Sequence, residues 1–329
     1  MSSTLHSKPN IQLYDLHPPL EDFLSDVLSG LSQRHKTISP KFLYDKQGAE
    51  LFDAICTLDE YYLTRTEMGI LQTYAPAIAT LIGDSALIEF GSGSSQKVRI
   101  LLDAMPQLTT YVGLDISKQH LQSSCLQLVD DYPGLEAIAI CADYAQPLQL
   151  PNISMLAGKR RVGFFPGSSL GNLEPAEAIE FLRNVATLLG GEGSLLIGID
   201  LKKSNAILGP AYDDAKGISA AFALNLLTRI NRELGADFEV NDFEYQAFYN
   251  APKGRIEMYI VSRKAQIVHL KDREFSFVAG ELLRTEYSYK YSIPEFQTLA
   301  LQAGFQSQQV WTDAQQLFSL HYLQSTQPD

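Results

Sequence analysis

Cysteine is scarce in this chain: three residues among 329, Cys56, Cys125 and Cys141, none in a CxxC spacing. That excludes a disulfide scaffold or a cysteine-rich zinc module and fits inert thiols in a reducing compartment, so a cytoplasmic location is expected. The six histidines include no HxxxH or HExxH pair, so no metal site is expected. Positive charge is also short, with 26 Lys and Arg against 38 Asp and Glu and a net charge of -12. Binding a phosphate backbone requires a basic face, so nucleic acid is disfavoured as a partner. No apolar run is long enough to cross a bilayer, and the opening MSSTLHSKPN has no signal-peptide core, so no membrane association is expected. Repeats and low-complexity blocks are absent, and nothing points to an obligate protein partner. Hydrophobic residues at 45% and charged residues at 19% suffice for one large or two intertwined domains.

The hydrophobic pattern changes along the chain. After a polar stretch of about ten residues, helical periodicity is expected around Pro19–Leu31 and Gly48–Leu58. From about Thr66, apolar runs alternate with helical stretches. The runs 85–90, 110–115, 136–143, 161–167 and 194–200 read as buried parallel strands, with helices over Gln96–Ala104, Ser117–Asp130 and Pro175–Leu188 between them. Such a series predicts a doubly wound α/β sheet. Beyond Asp200 the rhythm breaks into a long helix over Gly217–Leu234 and runs at 244–250, 255–262, 275–280 and 283–292, several of which alternate as half-buried antiparallel strands do. A helix over Pro294–Gly304 and strand-like runs at 308–312 and 316–323 then return to the first sheet. The expected division is 65–200 plus 288–329 for the sheet domain and 11–64 plus 201–287 for a smaller α+β domain.

The sharpest local feature is IEFGSGSSQK, 88–97. An apolar strand ends in Glu89 and runs through Gly91 and Gly93 into a helix. Glycines are needed where backbone turns tightly and approaches a ligand closely. Gln96 stands where the dinucleotide fingerprint requires a third glycine, and no Gly-Lys-Ser/Thr follows, which argues against a pyrophosphate or P-loop ligand. S-adenosylmethionine makes other demands: a ribose diol, an adenine amine and an amino-acid tail. Asp115 ends the second strand and can take both ribose hydroxyls. Asp143 ends the third and can accept from the adenine amine, with Tyr144 placed to stack. Glu89 orders the loop or reaches the tail ammonium through water. Each acid alone is an ordinary turn residue. Three successive strand ends with carboxylates after a Gly-x-Gly turn favour a class I methyltransferase sheet.

Six blocks then carry a resemblance: 40–67 (PKFLYDKQGAELFDAICTLDEYYLTRTE), 89–104 (EFGSGSSQKVRILLDA), 164–175 (FFPGSSLGNLEP), 211–238, 255–261 (RIEMYIV) and 284–292 (RTEYSYKYS). They resemble the histidine-specific Nα-methyltransferases of ergothioneine biosynthesis, in the family's order and over nearly the whole chain. The resemblance implies a Rossmann-like methyltransferase domain that holds S-adenosyl-L-methionine and a second domain that caps a free amino acid, L-histidine. It implies that Tyr61, Gly91, Lys97, Asp115, Asp143 and Tyr144 line the cofactor, and that Tyr61, Asn172, Tyr212, Met258, Glu286 and Ser288 line the substrate, with Tyr44 beside them. The residue types suit this use. Asn172 and Tyr212 offer neutral partners to the α-carboxylate and α-amine, and Glu286 with Ser288, two apart on a strand, can hold both imidazole nitrogens. Tyr44 or Tyr61, or water that they hold, is the candidate for orienting and deprotonating the amine. The resemblance further implies three rounds of methylation to a betaine, hercynine. Phe165-Pro166 and the aromatic Tyr287, Tyr289 and Tyr291 depart from the family's pattern. The alternative is Nα-methylation of another free amino acid, such as tryptophan or a prenylated tryptophan.

Overall fold

A computed structural model of the chain describes residues 11–16, 20–148, 150–151 and 153–326. The first ten residues, expected to be polar and loose, and Pro19 of the first expected helix lie outside that set. The chain divides into two compact units. The first contains β1 (Ile11–Leu16), Leu63–Lys202 and the chain from Tyr289; the second contains the segment ending at Tyr62 together with Lys203–Ser288.

In the second unit the first segment supplies α1 (Leu20–Leu31) and α2 (Lys46–Cys56), after which α3 (Tyr62–Ile82) leads into the first unit. There the expected alternation appears as β2 (Ala86–Phe90), α4 (Gln96–Ala104), β3 (Thr110–Asp115), α5 (Lys118–Asp131), β4 (Glu136–Ala142), β5 (Arg161–Phe165), α6 (Pro175–Leu189) and β6 (Ser194–Asp200). The chain then re-enters the second unit with α7 (Asn205–Tyr212), α8 (Ile218–Leu234), β7 (Phe243–Asn250), β8 (Arg255–Ser262), β9 (Gln266–Leu270), β10 (Arg273–Phe277) and β11 (Leu282–Tyr289). It returns to the first with α9 (Ile293–Gln302), β12 (Phe305–Thr312) and β13 (Phe318–Ser325).

The first unit is built on one eight-stranded sheet in the order β1-β4-β3-β2-β5-β6-β13-β12. Strand β2 pairs in parallel with β3 on one side and β5 on the other, so the winding reverses at its carboxyl end. Open α/β sheets bind ligands at such a switch point. Every residue of β2 is buried, as an apolar run covered on both faces requires. The two final strands are antiparallel, β13 lying between β6 and β12.

The division differs from expectation at several boundaries: Leu63, Thr64, Leu201 and Lys202 fall in the first unit and Ser288 in the second. Residues 11–16 do not belong with the smaller unit. They form β1, which pairs in parallel with β4 from Ile11 opposite Ala137 to Leu16 opposite Ala142. The physical reason lies in the exposed hydrogen-bonding edge that β4 would otherwise present; Ile11 and Leu13 bury beside it.

The second unit packs α2 and α8 together over a three-stranded sheet, β11-β8-β7, with a separate hairpin of β9 and β10. Asp45 joins the helices. It caps α2 by accepting from Gly48 N at 2.7 Å, and it also takes Asn225 Nδ2 at 2.8 Å and Arg232 at 2.6 Å from α8. These hydrogen bonds together hold its carboxyl below the usual range, against the opposing effect of burial.

Candidate active site

The glycine turn lies at the switch point of the first unit. Gly91 has φ +72° and Gly93 φ +47°, backbone that a side chain disfavours. Their peptides are tied to the neighbouring strand, with Gly91 N and Ser92 N donating to Leu114 O at 2.8 and 3.1 Å. A Cβ on Gly91 would sit 3.0 Å from the Tyr144 hydroxyl, so the turn and the residue after β4 close on one space. Tyr144 is seated edge-on against Phe90 and Phe165, with ring centroids 6.3 and 6.0 Å away.

Asp115 ends β3 as expected. Its Oδ2 accepts from Gly93 N at 3.0 Å and its Oδ1 from Ser117 N at 2.8 Å. Two backbone donors fix the carboxylate and leave a lone pair on each oxygen. Burial nevertheless raises its pKa, and those same donors oppose the rise. Asp143 lies one residue beyond β4, half-buried, and accepts from Ala145 N at 3.1 Å. Glu89 is placed differently from a ligand-facing acid. It is 1% exposed and receives the Tyr111 hydroxyl at 2.5 Å. Burial pushes its carboxyl up to about 8. Of the two readings given to Glu89, this placement fits ordering of the turn.

Lys97, in the first turn of α4, forms an ion pair at 2.7 Å with Glu67 of α3. Both Glu67 oxygens also accept from Gly167 N, at 3.1 and 2.9 Å, at the start of the loop after β5. That loop carries Asn172, half-buried at the end of the short 3-10 helix Ser169–Asn172. Next to it, Gly171 packs so tightly on Tyr289 that a Cβ would meet the Tyr289 carbonyl oxygen at 2.7 Å.

In the second unit, Tyr212 is the last residue of α7, not a turn residue ahead of α8. Its hydroxyl meets Ser288 Oγ at 2.9 Å in buried surroundings. Glu286 and Ser288 share one face of β11, two residues apart. Tyr61 packs edge-on against Tyr212, with centroids 6.0 Å apart, and Phe52 bridges Tyr61 to Tyr44 at 6.3 and 5.6 Å. Burial lifts the Tyr61 phenol well above its ordinary range, and the neighbouring Tyr212 adds to the shift. Met258 is buried on the central strand β8, and its carbonyl accepts from Thr285 Oγ1 of β11 at 3.2 Å. Within this unit, then, Tyr61, Tyr212 and Ser288 form one contiguous group, with Tyr44 attached through Phe52.

The opposite face of the same strands is a polar layer. Arg255 lies 3.4 Å from the centre of the Tyr287 ring and donates to Glu257 at 2.8 Å, and Glu257 also takes Tyr259 at 2.6 Å and Asn250 at 2.9 Å. Tyr287, which stood out as a departure from the family's pattern, is the residue between Glu286 and Ser288, and its ring is held by this layer. Lys290, a conceivable partner for Glu286, instead pairs with Asp200 at 2.7 Å, both fully buried.

The family described as "Histidine-specific methyltransferase, SAM-dependent" matches residues 23–325. The chain belongs to that family. It is 41% identical over 294 residues to the histidine N-alpha-methyltransferase of Mycolicibacterium smegmatis, covering 88% of this chain and 90% of that one. It is 30% identical to ergothioneine biosynthesis protein 1 of Schizosaccharomyces pombe over 80% of this chain, which corresponds to 35% of that longer protein. Likeness to the 4-dimethylallyltryptophan N-methyltransferase of Aspergillus fumigatus is lower, 27% over 89% of the chain. Family membership brings S-adenosylmethionine as the cofactor, and the first unit fits it. Asp115 offers oriented lone pairs suited to a diol, Gly91 leaves room beside Tyr144, and Ser92 Oγ is buried with no partner among the described residues.

Sequence reasoning did not single out Glu67, Tyr245 or Arg255. Tyr245 of β7 donates to the Tyr212 carbonyl at 2.9 Å, which seats the end of α7 on the sheet. The signal available for it was alternation: in the β7–β8 register Tyr245 falls on the same face as Met258. Among the described residues no group of acids, histidines and cysteines could hold a metal, and no helix is long and apolar enough to cross a membrane.

Proposed function

We propose that this chain transfers methyl groups from S-adenosylmethionine to the α-amino nitrogen of free L-histidine, in successive rounds that end at the trimethyl betaine. The supporting observation is that one chain carries both a complete glycine-and-carboxylate set at the switch point of the sheet and, on β11, a carboxylate beside a hydroxyl already bonded to Tyr212. Greater identity to a histidine enzyme than to a prenylated-tryptophan enzyme favours the imidazole substrate.

When bound, the cofactor supplies a methyl on a sulfonium, a leaving group good enough that placement is the main requirement. Gly91, Asp115, Asp143, Tyr144 and Lys97 hold it. Glu286 and Ser288 hold the two imidazole nitrogens, and an apolar side chain would displace water from the Glu286 carboxylate and offer it no N–H in return. Asn172 and Tyr212 engage the carboxylate and amine ends of the amino acid, and Met258 fills the apolar wall. Tyr61 keeps its proton at neutral pH because burial raises its pKa, so it orients the amine through a neutral hydroxyl oxygen and does not act as an anionic base. With Tyr44 it forms an aromatic wall that tolerates the positive charge growing on nitrogen. The amine proton passes to water.

The test is incubation with the cofactor and a panel of free amino acids, read by mass. Histidine should gain one, two and then three methyl groups, while tryptophan and leucine gain none. Glu286→Ala should narrow the preference for histidine by about tenfold or more and leave binding of S-adenosylhomocysteine intact. Unchanged preference in that variant would remove Glu286 from the imidazole site.

A further inference from the structure

Glu67 belongs to neither proposed ligand set, yet its carboxylate is held on several sides. It is 0% exposed. It takes the Lys97 ammonium at 2.7 Å and the Gly167 N–H on both oxygens. Two glycines border the ion pair, one on each partner. A Cβ on Gly198 of β6 would lie 2.1 Å from Glu67 Oε1, and one on Gly167, where φ is +83°, would come within 3.4 Å of Lys97 Nζ. A buried ion pair is a poor way to gain stability, because apolar packing of similar volume does as well without desolvating charge. Its retention here is better explained by orientation.

We propose that Glu67 is a positioning residue for the amino-acid tail of the cofactor, acting through Lys97. The inference rests on the proposed assignment of Lys97 to the cofactor. An ammonium carries three donors on a flexible stem. Glu67 accepts one of them and fixes the stem from below, while Lys97 keeps 18% of its side chain exposed. The complementary group on the cofactor is the tail carboxylate, since the nucleoside carries no negative charge. By holding Gly167 N as well, the same carboxylate sets the start of the loop that carries Asn172.

The test compares two ligands by calorimetry: S-adenosylhomocysteine, and methylthioadenosine, which keeps the nucleoside and thioether but lacks the amino-acid tail. Glu67→Gln is nearly isosteric and should weaken S-adenosylhomocysteine by about tenfold or more while methylthioadenosine changes less than about twofold. Glu67→Asp draws the anchor back by one methylene, keeps the charge, and should show the same selective loss in smaller degree; it serves if the glutamine variant folds poorly. Lys97→Met is the control. If Lys97→Met is selective for the tail and neither Glu67 variant is, Glu67 has no positioning role and Lys97 keeps its assignment. Equal weakening of both ligands by the Glu67 variants would also overturn the proposal, as a general effect on the fold. If Lys97→Met fails to discriminate, the assignment of Lys97 falls and the proposal falls with it.

Discussion

At the residue scale, two buried titratable groups set opposite pH dependences in the first unit. His321 of β13 is fully buried against Phe296, with ring centroids 4.6 Å apart, and burial pulls its pKa from 6.5 down to about 3. The folded chain therefore keeps His321 neutral, and stability falls as pH drops from 6.5 towards 3, by about 2 kcal/mol between pH 6.5 and 5. Glu89 behaves in the opposite sense. Its pKa is raised from 4.5 to about 8, so its contribution is complete below pH 4.5 and is lost as pH rises to 8. The two slopes oppose each other between pH 4.5 and 6.5. Denaturant unfolding at several pH values should show Glu89→Gln reducing the loss on the alkaline side, to which Asp115 also contributes, and His321→Met reducing the loss on the acid side, to which Asp45 also contributes. At Gly91 the constraint is backbone. Gly91→Ala forces a side chain to φ +72°, which costs about 1–2 kcal/mol, and the hydroxyl of Tyr144 must shift. A lowered melting temperature together with weaker S-adenosylhomocysteine binding is expected.

At the element scale, β8 and β11 are braced from behind by Arg255, Glu257 and Tyr287. Arg255→Lys keeps the charge and loses the planar stack on Tyr287. It should raise KM for histidine by about fivefold, equivalent to about 1 kcal/mol of lost alignment, with the affinity for S-adenosylhomocysteine unchanged. Much at this scale was legible in the sequence. The five apolar runs between helical stretches named β2 to β6 because buried parallel strands are continuous in hydrophobicity, and the alternation in 283–292 put Glu286 and Ser288 on one face. Other elements were not legible. IQLYDL is too short to stand out as a strand by itself, and the partner that makes it one, β4, begins more than a hundred residues later. QIVHL of β9 is short and half exposed, with Ile267 54% exposed, too weak a pattern to name. Glu67 reads as one more surface glutamate of a helix, because burial and pairing with Lys97 arise only from tertiary contact.

At the scale of the whole molecule, the two units are each built from separate stretches of chain. Ligand that binds only the folded protein raises its melting temperature by mass action. S-adenosylhomocysteine alone should give a shift, and added histidine a further one that tryptophan does not match. Loss of the second shift in Ser288→Ala, with the first retained, would locate histidine recognition in the smaller unit. The sequence indicated an interrupted sheet domain because the strand rhythm stops after Asp200 and resumes past Tyr289. It could not say that the opening strand would close the far edge, since edge pairing is decided by which strand stands uncovered. The position of β13 has a further consequence for biosynthesis. This strand fills the gap between β6 and β12, yet a ribosome releases it more than a hundred residues after β6. Until then a nascent chain displays β6 with one side unpaired, and a stalled or prematurely terminated product would carry a sticky, half-finished sheet for chaperones and proteases to find.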